Sequence, residues 1–227
     1  MVALYSGATG TLEAASEGVR EATMHNLELK VRCNDEAHLE RLIDTARAAG
    51  AIYARTLAQR DTYFAAPRGR LKLREWHQPA PPGETTVATT DAEADASGAT
   101  LIAYARPDDA GSRLSDYLLS AVPEPATLRA ALERALGLRV VVEKQRLLYM
   151  WGHTRIHFDR VTTLGAFVEL ETLLDRFGTS GQDDNPGSDG RCAAEAEHQA
   201  VIAALGLATL PAIAGSYSDL LLQAAGR

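Results

Sequence analysis

The stretch Asn26-Leu27-Glu28-Leu29-Lys30-Val31-Arg32 alternates apolar and polar residues without a break. Side chains two apart in a strand share a face, so this pattern predicts a strand with one apolar and one charged side. The same alternation returns in Arg70-Leu71-Lys72-Leu73-Arg74, in Thr154-Arg155-Ile156-His157-Phe158-Asp159 and in Phe167-Val168-Glu169-Leu170-Glu171. Further strands are predicted over 51–58, 61–65, 100–106 and 139–150, with a short one near 85–90 inside the Pro- and Gly-rich loop 78–98. Amphipathic helices are predicted over 34–49, 127–136 and 191–205. In the first, Asn34 or Asp35 supplies the cap, and Leu39, Leu42, Ile43 and Ala46 the apolar stripe. Strands with one apolar side need a covering layer, so the fold class is α+β, with helices packed on the apolar faces.

The charged faces carry the functional signal. They collect Glu28, Lys30 and Arg32; Arg70, Lys72 and Arg74; Arg106; Lys144 and Arg146; Arg155, His157 and Asp159; and Glu169 and Glu171. One wet face is ordinary for a single antiparallel strand. Summed over the strands, however, nine cations meet four anions, a net +5 in a chain whose net charge is -7. The rest of the chain therefore carries -12. Of 23 basic residues only Lys30, Lys72 and Lys144 are lysine, and all three fall in this set. Cations gathered against the sign of the whole molecule predict an anionic ligand. Carboxylates among them (Glu28, Asp159, Glu169 and Glu171) suit a hard cation, Mg²⁺ or Mn²⁺, shared with phosphate oxygens. Positioning plus charge stabilisation is what phosphoryl chemistry requires. His157 is read as a hydrogen-bond partner of Asp159 rather than a proton shuttle, and Trp76 and Trp151 as packing residues.

The other global features exclude more than they identify. The chain has 227 residues, 46% hydrophobic and 23% charged, enough for one globular domain. Its acidity argues against nucleic acid as a partner. Cys33 and Cys192 lie far apart in unrelated contexts, which suits a reducing compartment and forms no zinc motif. The most apolar stretch, 201–215, is too short for a bilayer and is broken by Pro211. A cytoplasmic protein with no membrane partner is expected, and a homodimer remains open.

In order along the chain, these segments resemble the CYTH-domain proteins, or triphosphate tunnel metalloenzymes, which include class IV adenylate cyclases and thiamine triphosphatases. The signature Glu-x-Glu-x-Lys stands here as Asn26-Leu27-Glu28-Leu29-Lys30. The resemblance continues through Gln59-Arg60-Asp61-Thr62-Tyr63-Phe64, Gly69-Arg70-Leu71-Lys72-Leu73-Arg74 and Tyr104-Ala105-Arg106. It closes with Val142-Glu143-Lys144-Gln145-Arg146, the two segments around Asp159 and Glu169, and Ser216-Tyr217-Ser218-Asp219-Leu220-Leu221. It implies a closed antiparallel β-barrel of about eight strands, a tunnel holding a triphosphate-containing small molecule, with helices outside. By position it implies Glu28, Glu169, Glu171 and additionally Asp159 as metal ligands. By position Lys30, Arg70, Lys72, Arg74, Arg106, Lys144, Arg146 and Arg155 would bind substrate. The charged face adds Arg32 to that set, and Lys30 and Lys72 are the catalytic candidates because neighbouring cations can lower a lysine's pKa. Asn26 departs from the pattern, since a neutral amide is a poorer ligand for Mg²⁺.

The expected organisation is an extension over 1–23, disordered or preceding the true start at Met24, followed by a single domain over 24–227. That domain has its core at 25–177 and a C-terminal helical element at 190–223. The expected activity is metal-dependent hydrolysis of inorganic, nucleoside or thiamine triphosphate. The alternatives are an adenylate cyclase releasing cyclic AMP and pyrophosphate, and a non-catalytic polyphosphate or nucleotide binder.

Overall fold

The computed structural model describes residues 26–79, 97–105, 116–174 and 188–226. Arg106, the extension 1–23, the short strand near 85–90 and most of the 180–190 loop lie outside the described residues. Eight strands form one antiparallel sheet: β1 (Asn26–Arg32), β2 (Ile52–Phe64), β3 (Arg70–His77), β4 (Ser97–Ala105), β5 (Asp116–Ala121), β6 (Leu138–Trp151), β7 (Thr154–Val161) and β8 (Gly165–Leu173). Four helices accompany them: α1 (Glu36–Ala48), α2 (Pro125–Leu136), α3 (Ser188–Ala204) and α4 (Tyr217–Ala224).

The strand order is β1-β8-β7-β6-β2-β3-β4-β5, so the sheet ends at β1 and β5 and does not close. This corrects the expected closed barrel. The physical reason is visible at β1, whose outer edge is occupied by the segment after α3 instead of by a strand. Ala212 bridges Val31, and the Ile213 N–H donates to the Lys30 carbonyl at 2.8 Å. A short stretch of chain thus satisfies the exposed edge that barrel closure would otherwise have removed. The sheet is nonetheless strongly curved. Tyr63, Ile102 and Tyr104 from β2 and β4 share one buried cluster with Val161 and Phe167 from β7 and β8.

The apolar strand faces pack where the alternation predicts. Leu39, Leu42, Ile43 and Ala46 of α1 join Val31, Ile156, Phe158, Val168 and Leu170 in the largest core cluster. Tyr149, fully buried, stands edge-on to Tyr53 and Phe158 with ring centroids 5.5 and 5.6 Å apart. Asp35 caps α1 by accepting from the His38 N–H at 2.6 Å. On the same outer face α3 is fixed by polar contacts: Thr172 Oγ1 to His198 Nδ1 at 2.8 Å, and Thr154 Oγ1 to Glu197 Oε1 at 2.7 Å.

Two strands differ from expectation. The segments predicted over 51–58 and 61–65 are one strand, β2, with a bulge between Tyr53 and Arg55. The bulge puts Tyr53 in the outer core and Arg55, Leu57, Gln59, Asp61 and Tyr63 together on the opposite face. Strand β5 was not predicted at all. It is a short edge strand with Leu118 and Leu119 both exposed, so burial leaves no alternation to read.

Candidate functional site

Register brings the charged side chains into two linked clusters on the concave face. In the first, Asp61 on β2 stands opposite Arg74 on β3, two positions along the same face from Gln59, which stands opposite Lys144 on β6. Asp61 is buried and accepts from Arg74 Nε and Nη2, both at 2.8 Å, and from Lys72 Nζ at 3.0 Å. Lys144 Nζ lies 4.0 Å away. Burial alone would raise the Asp61 carboxyl, but Arg74, Lys72 and Lys144 hold it well below its ordinary value. The two lysines move the other way. Burial, then the neighbouring Arg146 and Arg74, push Lys144 down to about 7. Burial and Arg74 push Lys72 down to about 8. One buried carboxylate thus stands among three cations, which is the electrostatic signature of a site for an anion.

The second cluster centres on Arg146. Its guanidinium grips Asp159 bidentately at 2.7 Å and reaches Glu169 Oε2 at 2.7 Å. Burial opposes ionisation of Asp159, yet Arg146 outweighs it and brings the carboxyl down to about 2. Lys30 Nζ meets Glu169 Oε1 at 2.7 Å, so Glu169 links β1 to the arginine. Burial would raise Glu169 as well, but Lys30, His157 and Arg146 hold it well below the usual range. Tyr217 of α4 donates to Asp159 Oδ2 at 2.8 Å, and its ring lies under Lys30 at 4.5 Å and Lys144 at 5.3 Å. Helix α4 therefore rests against the concave face, and Asp219 adds an ion pair to Arg70 at 2.9 Å.

The metal-ligand candidates divide. His157, Glu169 and Glu171 each offer a donor atom, all within 4.8 Å of one another. His157 is buried, and its Nδ1 lies 3.7 Å from Glu169 Oε2 and 3.7 Å from Glu171 Oε1, too far for a hydrogen bond. That nitrogen has no hydrogen-bond partner among the described residues. A buried ring nitrogen between two carboxylates fits a divalent cation. The oxygens suit Mg²⁺ or Mn²⁺, and the imidazole favours a first-row transition ion. Glu28 stands opposite Glu171 in the β1–β8 register and accepts from Asn26 Nδ2 at 3.3 Å, so the departing residue orients the next glutamate. Asp159 sits instead with Arg146 and Tyr217, and His157 faces Glu169 and Glu171 rather than Asp159.

Among the substrate-binding candidates, Lys30, Arg70, Lys72, Arg74, Lys144 and Arg146 are drawn into these clusters. Arg155 pairs with Glu171 at 3.6 Å. Arg32 lies further along, donating to the Leu164 carbonyl at 3.0 Å and stacking on Phe167. Sequence reasoning gave Asp61 no role on the charged face, and it gave Tyr217 no contact there. Reading β2 as one strand would have placed Asp61 on the charged face. His157 was on that face but was assigned to the wrong partner.

A CYTH domain profile matches residues 24–177. The chain belongs to the CYTH domain family. The CYTH match spans all eight strands, and solved structures share the fold at low identity. The PH1012 protein of Pyrococcus horikoshii OT3 superposes with a TM-score of 0.59 at 19% identity, over 86% of this chain and 98% of that one. The PH1819 protein of the same organism gives 0.59 at 19% identity, over 88% and 99%. HpAC1 from Hippeastrum, described as an adenylyl cyclase candidate with a dominant triphosphatase activity, gives 0.51 at 11% identity, over 90% and 96%. No curated protein matches the chain by sequence. Among the described residues, no helix is long and apolar enough to cross a membrane.

Proposed function

We propose that this CYTH-domain protein hydrolyses triphosphate compounds with a divalent cation, Mg²⁺ or Mn²⁺, held by Glu28, Glu169 and Glu171 with His157. The observation that carries the reading is the buried group of Lys72, Arg74, Lys144 and Arg146, four cations that meet three carboxylates among the described residues, Asp61, Asp159 and Glu169. That cationic excess in a low-dielectric site is compensated by a polyanion. The arginines present forks that match phosphate oxygens, and the lysines supply point charges. Asp61 and Asp159 act as counterions that fix the orientation of these groups before the ligand arrives. The bound cation would add charge neutralisation at phosphoryl oxygens and a more acidic water. Lys72, held at about 8, is the chain's own candidate for moving a proton near neutral pH; Lys30 anchors Glu169.

The test is a substrate panel: purified protein, Mg²⁺ or Mn²⁺, and tripolyphosphate, ATP or thiamine triphosphate. Phosphate release without cyclic AMP is expected, with turnover lost in Glu169→Ala and Glu171→Ala. Cyclic AMP with pyrophosphate as product would replace this reading with a cyclase. Tight binding without turnover under any metal would replace it with a binder.

A further inference from the structure

One level beyond the Asp61 cluster, the concave face carries polar atoms that none of its contacts use. Gln59 is 4% exposed, and neither atom of its amide has a hydrogen-bond partner among the described residues. Directly opposite it on β3 is Trp76, 6% exposed, whose Nε1 also lacks a partner among those residues. On its other side Gln59 faces Lys144, and two residues earlier on the same strand face lies the buried Leu57. Opposite Trp76 on β4 is Gly98, where an added Cβ would lie 2.6 Å from the indole Cζ2. The glycine therefore lets the indole lie against the β4 backbone.

A buried amide with both atoms unused is a standing cost, because its hydration is lost and nothing replaces it. It is retained at low cost when a ligand or an ordered water makes those bonds. An amide offers a donor and an acceptor side by side in one plane, the pattern that pairs with a ring edge carrying the complementary two, as Gln does with adenine. The indole supplies a flat apolar surface for the ring itself, and Gln59, Trp76 and Lys144 line one cavity. Lys144 joins this level to the phosphate-binding cluster, so a ligand gripped there by its phosphates carries its attached group to Gln59. We propose that Gln59 and Trp76 form a recognition subsite for the organic moiety of the substrate, a planar heteroaromatic ring such as a nucleobase or aminopyrimidine. The inference rests on the triphosphate reading above and narrows it from inorganic to organic triphosphates. Because a Gln amide can turn over, the subsite takes either order of donor and acceptor and tolerates several bases.

The experiment compares ATP, ITP and tripolyphosphate on wild type, Gln59→Leu and Trp76→Phe, by dissociation constant from calorimetry and, where turnover occurs, by KM. In Gln59→Leu the constants for ATP and ITP are expected to rise roughly tenfold relative to that for tripolyphosphate. Trp76→Phe, which keeps a ring but removes the N–H, is expected to shift the same ratio in the same direction by less. The melting temperature of ligand-free Gln59→Leu is expected to hold or rise, since no bond is lost; a fall would show that the amide is bonded within the protein and would overturn the proposal. An unchanged ratio would overturn it too, leaving an ordered water as the amide's only partner. Failure of every triphosphate to bind wild type would sink the triphosphate reading itself. Binding with no change of ratio sinks only the subsite.

Discussion

Asp61 is the buried counterion of the Lys72, Arg74 and Lys144 cluster. It is 2% exposed and meets Arg74, Lys72 and, more distantly, Lys144. Asp61→Asn removes the one charge that offsets three cations, and breaking a buried pair from one side costs about 3–5 kcal/mol. A lower melting temperature is the expected result, partly restored by tripolyphosphate, which supplies the missing negative charge. The depressed lysines give a second outcome at this scale. Near neutral pH, Lys144 at about 7 and Lys72 at about 8 are incompletely protonated without ligand. A triphosphate favours their charged forms and raises both values, so binding takes up protons between pH 7 and 8. Calorimetry in buffers of differing ionisation enthalpy measures that uptake, and affinity falls as pH rises through the same interval. His157→Ala tests the nitrogen ligand. It is expected to weaken Mn²⁺ or Co²⁺ binding roughly tenfold while changing Mg²⁺ little, read by direct metal titration without substrate.

At the scale of the element, α4 determines how the concave face is organised. Ser216 and Asp219 form a capping box at its start, the Ser216 side chain accepting from the Asp219 N–H at 3.3 Å and Asp219 Oδ2 accepting from the Ser216 N–H at 2.8 Å. The same Asp219 carboxylate meets Arg70, so the helix cap is also an anchor to β3. Leu220 and Leu221 pack against the cluster that holds Val142, Val161 and Phe167. Ser216→Ala is expected to cost about 1 kcal/mol of stability, readable as a denaturation midpoint shift with unchanged slope. Tyr217→Phe removes a hydrogen bond to an ionised carboxylate, worth about 1.5–3 kcal/mol. It keeps the ring under Lys30 and Lys144, so a phosphate-affinity loss smaller than that of Tyr217→Ala is expected. The motif Ser216-Tyr217-Ser218-Asp219 was legible as a segment related to the family, but nothing in its spacing said which face it would reach.

For the whole molecule, the concentration of buried cations makes stability depend on pH in a defined direction. Lys72 and Lys144 bind protons less well folded than unfolded, so raising the pH from 7 to about 8.5 relieves the folded state more than the unfolded one. The melting temperature of ligand-free protein is expected to rise over that interval, and a saturating triphosphate is expected to flatten the rise. Much of this was legible in the sequence. Period-two alternation is a local property of the backbone, so Glu28, Lys30, Lys72, Arg146, Glu169 and Glu171 could be assigned to one face before any pairing was known. The helices covering the other face followed from the 3.6-residue stripe of Leu39, Leu42, Ile43 and Ala46. What alternation cannot supply is the partner of each residue, because pairing joins strands distant in sequence and is set by register, bulges and packing. Only the tertiary structure left β1 and β5 as edges and laid Tyr217 across two lysines. It also gave Asp159 to Arg146 and His157 to the glutamates, and set the unused amide of Gln59 beside Trp76. The sequence by itself determined the sign and side of the charges; the fold decided which of them meet and which atoms are left for a ligand.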